Sequence, residues 1–143
     1  MACLHVASML AFASVVVRGW TIDRVTPMSE TMLKSFEKPD EVREFPFGRF
    51  EIIHLDGVSL GRATYQPGWK WSVHNAPTAG TSLCHVPHTG TVLSGHGAVQ
   101  YEDGQYLDLV PGAVFYITSM PHDSWVVGDV PYVSLHVLKP HMH

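Results

Sequence analysis

The chain has 143 residues, 45% of them hydrophobic and only 15% charged, and a formal net charge of −4 from 9 basic and 13 acidic side chains. That length encloses one domain with a real core, and the balance excludes disorder and coiled coils. No basic block or stripe is present, which excludes nucleic acid as a partner.

Residues 1–27 open the chain. The apolar stretch 2–17, ACLHVASMLAFASVVV, is too short and interrupted to span a bilayer, so no membrane role is expected. It carries no basic residue ahead of it and no clean cleavage site behind it. We read 1–27 as an extension outside the fold, with Met28 as the working start; the alternative is a signal peptide and a secreted protein. Two cysteines, Cys3 and Cys84, cannot build a disulfide framework, so a reducing cytoplasm is the expected compartment.

Residues 28–43 read as an N-terminal arm, with a helical turn or two over 30–36 that Pro39 stops. From residue 44 to 138 the chain breaks into short β-prone runs. Phe47 to Leu55 ends at the hairpin signal Asp56-Gly57, and Val58 to Tyr65 is closed by Pro67-Gly68. Trp69 to His74 is the next run, then Gly90 to Leu93 before Ser94-Gly95. Ala98 to Tyr101, Tyr106 to Val110, Val114 to Thr118, Trp125 to Val127 and Tyr132 to Leu138 follow, and residues 139–143 form a tail. The even spacing predicts an all-β antiparallel sandwich or small barrel, with no room for a parallel α/β sheet.

Ten histidines outnumber the 9 lysines and arginines, and imidazole is the commonest side-chain metal ligand. Strand alternation puts Cys84 and His88 on one face and His85 on the other. His74 and His122 stand where runs meet turns, flanked by tryptophans, and three neutral imidazoles would hold a divalent ion well. Trp71 and Trp125 are candidate pocket walls. Tyr116 is a candidate proton or hydrogen-bond donor. His54 shares parity with Phe50 and Ile52, so it lines the interior as substrate contact or as simple core. Each has a plain alternative: a hydrogen-bonded barrel histidine, a packing aromatic, or a buried thiol that only fills space. His136 alternates against Val133, Leu135 and Val137 and reads as structural, while His96 reads as solvated.

These residues resemble the motifs of the cupin superfamily, G(x)5HxH(x)3–4E(x)6G and G(x)5PxG(x)2H(x)3N. Gly68, five residues and His74 match the opening of the first; His88, six residues and Gly95 match its close, with His88 where the family has Glu. Gly104, Pro111-Gly112 and His122 trace the second. A subgroup of small single-domain cupins is similar in more detail, through GWKWSVH, CHVPHTGTVLSG and PHDSWVVGD. The second His of HxH is absent, since residue 76 is Ala; in a shifted register Ser82 and Cys84 take those two positions, which makes Cys84 an optional ligand. The resemblance implies a cupin-type double-stranded β-helix, or jelly-roll barrel, over 44–138 and a homodimer. It implies His74, His88 and His122, with Cys84 optional, around Fe, Zn, Ni or Cu, assisted by Tyr116 or His54. Two functions follow: a metal-dependent enzyme on a small organic molecule, of the dioxygenase or lyase kind, or a non-catalytic small-molecule-binding or sensing module with a structural or absent metal.

Overall fold

Residues 30–139 are described by a computed structural model of the chain. Residues 1–27, read above as an extension, and the end of the tail lie outside the described residues.

Nine strands alternate with turns: β1 Glu41–Phe45, β2 Gly48–Leu55, β3 Val58–Tyr65, β4 His88–Ser94, β5 Gly97–Tyr101, β6 Tyr106–Leu109, β7 Val114–Ile117, β8 His122–Val126 and β9 Tyr132–Leu138. Two short helices, α1 Trp71–His74 and α2 Ala76–Ala79, lie between β3 and β4. The strands form a six-stranded sheet, β1-β2-β3-β9-β4-β7, and a three-stranded sheet, β6-β5-β8. All pairings are antiparallel.

The alternation that makes these strands also makes the core. Val92, Phe115, Ile117 and Tyr132 face inward from the large sheet and meet Val99, Tyr101, Leu109 and Val126 from the small one. At about 25 cal/mol per Å2, removing such side chains from water is the main force joining the two layers. The Asp56-Gly57 turn behaves as its sequence requires: Gly57 takes φ 75°, a left-handed value that a Cβ would disfavour.

Three expectations need correction. The Trp69 to His74 run is not a strand: Trp71 to His74 is helical. The reason is tertiary. Asp123 of β8 accepts from the Ser72 amide at 3.0 Å and the Ser72 hydroxyl at 2.7 Å, and its carboxylate lies 3.3 Å from Lys70 Nζ, so a partner 51 positions away supplies the helix with its cap. Residues 30–36 form no helix, only a turn around Phe36. The large sheet begins at Glu41, inside the stretch read as an arm, because Glu41–Phe45 folds back on Gly48–Ile52.

Candidate metal centre and its cavity

Cys84 lies outside the named strands but makes an isolated bridge with His122, the first residue of β8. The two exchange both backbone bonds: Cys84 N–H donates to His122 O at 2.9 Å and His122 N–H donates to Cys84 O at 3.1 Å. Such a pair sends both side chains to one face, here inward. His88 opens β4, where it pairs with Ile117 of β7. Its Nε2 lies 3.5 Å from Cys84 Sγ, and its ring meets that of His122 edge-on at 5.6 Å.

The ligand atoms of Cys84, His88 and His122 all lie within 4.8 Å of one another. Tetrahedral coordination by a thiolate at about 2.3 Å and an imidazole at about 2.0–2.1 Å puts S and N roughly 3.6 Å apart, which the Cys84–His88 separation matches. This group could hold a metal ion. A thiol and two imidazoles without a carboxylate suit Zn, Fe(II), Ni or Cu, and not Mg or Ca.

The surroundings prepare these donors. His122 is 1% exposed, and its Nδ1 donates to Met120 O at 2.8 Å, so Nε2 keeps its lone pair. His88 is pushed down to about 4 by burial, then by its neighbours His136 and His122, and is neutral near pH 7. Cys84, 3% exposed, has its thiol pushed up by burial; an ion would supply the positive charge a thiolate needs there.

His88 and His122 line a cavity of about 390 Å3 between the two sheets, within the range of small-ligand sites. Cys84 is not among its lining residues, so the thiol stands behind the two imidazoles. Trp71 and Trp125, expected as pocket walls, do line it. Tyr65 and Trp69 stack at 3.9 Å on another side.

The remaining expected residues are elsewhere. His74 is not brought to the group: on α1 its ring packs against Phe47 at 4.8 Å, and its Nδ1 accepts from the Lys70 amide at 3.0 Å. Helical backbone turns this side chain where extended backbone would have sent it inward. Tyr116 is 66% exposed on the outer face of β7, where Phe115 and Ile117 take the inner face. His54 hydrogen-bonds with Ser59 at 2.8 Å, lies 3.7 Å from Glu41, and does not line the cavity. His85 is exposed, as its parity predicts.

One histidine of the cavity escaped the sequence reading. His136 on β9 faces inward, 5.9 Å from the His88 ring, with Nε2 2.9 Å from Ser134 Oγ; burial pushes it down to about 4. Its parity with Tyr132 and Ser134 was the available signal.

No protein-family model matches the chain, and no curated protein does. Solved structures do match. Ectoine synthase from P. lautus superposes with a TM-score of 0.58 at 12% identity, over 78% of this chain and 80% of the other. A Rhizobium leguminosarum protein of unknown function gives 0.56 at 18%, over 78% and 99%. KdgF from Halomonas gives 0.51 at 17%, over 71% and 89%.

The chain has the cupin fold, a β-barrel of two antiparallel sheets. In that fold the group of potential ligands sits at the edge of the inter-sheet cavity, carried by β4, β8 and the segment bridged to β8. Among the described residues no helix is long and apolar enough to cross a membrane.

Proposed function

We propose that this cupin binds a borderline divalent ion through Cys84, His88 and His122 and acts on a small organic molecule held in the adjoining cavity. The observation that carries the reading is the convergence of those three donors beside an aromatic-walled cavity that two of them line. An ion there would serve as a Lewis acid for a bound oxygen or, if iron, as a site for dioxygen chemistry of the dioxygenase or lyase kind. The chain's own groups have simpler duties. Met120 O fixes the His122 tautomer, burial keeps His88 neutral, Cys84 gives up its proton on ligation, and the aromatic walls keep water out.

Among the described residues no Asp or Glu lines the cavity, which favours chemistry led by the ion over carboxylate acid–base catalysis. The same observation supports a second reading, a binding or sensing module with a structural ion. Metal content per chain, measured on untagged protein, should be near-stoichiometric and fall to trace in His88→Ala and Cys84→Ala. Metal-free wild-type protein from metal-replete cells would sink both metal readings. Oxygen uptake or turnover that chelation abolishes selects the enzyme, and ligand binding that survives chelation without turnover selects the module. A buried free thiol suits a reducing compartment, so we place the protein in the cytoplasm, and we propose that it pairs as a homodimer.

A further inference from the structure

We infer that the cavity takes a flat, uncharged aromatic molecule bearing a hydroxyl or carbonyl oxygen, and that His136, braced by Ser134, selects for that oxygen. The inference rests on the cavity being the binding site, as proposed above, and adds the class of ligand.

The walls supply the first argument. Phe50 and Phe115 each meet the His136 ring nearly edge-on, at 5.5 Å, and Trp71 and Trp125 line the same space. Aromatic walls of this kind favour a thin unsaturated body, because ring faces and edges attract one another beyond simple area burial. A sugar or an aliphatic polyanion would need polar partners all round, whereas the polar side chains of the lining, such as Asn75, Thr89 and Ser124, are outnumbered by aromatic and aliphatic ones.

Charge supplies the second. Among the described residues Arg43 is the one lining residue with a fixed charge, and its guanidinium is held by Glu41, with Nε at 2.9 Å and Nη2 at 2.6 Å from one carboxylate oxygen. Engaged with Glu41 at the surface, that cation offers a carboxylate ligand only a screened counter-charge, so in the metal-free cavity an anion gains little over a neutral ligand.

His136 supplies the third. Ser134, 0% exposed, engages its Nε2 at 2.9 Å and so fixes the ring. Among the described residues nothing hydrogen-bonds to its other nitrogen, Nδ1. No buried side-chain nitrogen or oxygen among the described residues is left unpartnered, so Nδ1 is reachable by solvent; a ligand that displaces water there and offers an oxygen in its place is preferred over one of the same shape that does not.

Titration of the full chain with 2-naphthol, naphthalene and succinate, run zinc-loaded and again after chelation, tests this by calorimetry. 2-Naphthol should bind at least about tenfold more tightly than naphthalene in both forms, a difference equivalent to one good hydrogen bond, with succinate weakest after chelation. His136→Phe should bind both arenes within about twofold of each other, its zinc content unchanged. Should that variant not fold, His136→Leu, nearer in volume to histidine, is read in the same way.

A preference that survives loss of the imidazole overturns the proposal, because the oxygen then sits elsewhere. So does succinate binding above the arenes after chelation, or the absence of any preference in the wild type. Zinc uptake has its own readout. A His136-dependent preference in a chain that takes up no zinc upholds this inference and removes the metal reading; zinc held without any preference does the reverse.

Discussion

His88 and His136 are neutral histidines held in the interior, and both are pushed down to about 4 by burial. The unfolded chain returns them to about 6.5, so between those pH values it binds more protons than the fold does. Their contribution to stability is therefore complete above about pH 6.5 and is lost as the pH falls toward 4. Each accounts for on the order of 3 kcal/mol at the acidic end, less than additively because the rings are neighbours. Chelated protein should show a melting temperature that drops between pH 7 and 4.5, and His136→Phe should flatten that slope. An unchanged slope would mean both rings find counter-charge or water on protonation. At this scale the sequence was partly legible. Cys84 and His88 share a face because of simple alternation, and His122 follows a turn. His74 did not join them, since nothing near residue 71 announces the distant carboxylate that coils its segment. His136 was set aside because its strand neighbours Val133, Leu135 and Val137 look like the core face, while the inward set is Tyr132, Ser134 and His136.

Two elements hold the site in shape, and each depends on one residue. The α1 helix is fastened to β8 through Asp123, whose carboxylate serves Ser72 and Lys70 while being largely buried. Asp123→Ala should cost about 1 kcal/mol by depriving the part-buried Ser72 amide and hydroxyl of their acceptor, read as a lower urea midpoint. It should also free Trp71 at the cavity wall, visible as a red shift in tryptophan emission. Strand β4 depends on Gly90, which pairs with Phe115 on one side and His136 on the other. A Cβ there would lie 2.3 Å from Leu135 O and 2.8 Å from the Phe115 ring. Gly90→Ala should therefore destabilise by about 2–3 kcal/mol, and it should disturb the His136 wall even where the fold survives. Most strands were readable, since β3 and β9 run as their turn residues dictate. The hidden elements were those stabilised from afar: β1, a strand only because β2 returns beside it, and α1.

At the scale of the molecule, the large sheet has one face on the core and another turned away, which carries Arg49, Glu51 and Arg62 on β2 and β3 but exposed apolar side chains at its β4–β7 end. Val114 is 82% exposed, Tyr116 66% and Leu93 51%, on the adjacent strands β7 and β4. β7 is also the last strand of its sheet, so its outer edge offers unpaired backbone groups beside that apolar strip. An aromatic and two aliphatic side chains left in water this way favour burial against a second copy, where a two-fold axis lets one strip serve both partners. A stable pairing needs roughly 800 Å2 from each partner, more than these three side chains supply, so the flanking surface of β4 and β7 must take part. Sedimentation velocity should give about twice the 15.8 kDa chain mass for wild type. Val114→Lys combined with Tyr116→Lys should give the single chain, since two ammonium groups cannot be buried across the axis without partners. Both substitutions lie outside the core and the cavity, so metal content and arene binding should survive them. A variant that stays dimeric would place the interface on another face and return Tyr116 to the role of a solvent-facing strand residue.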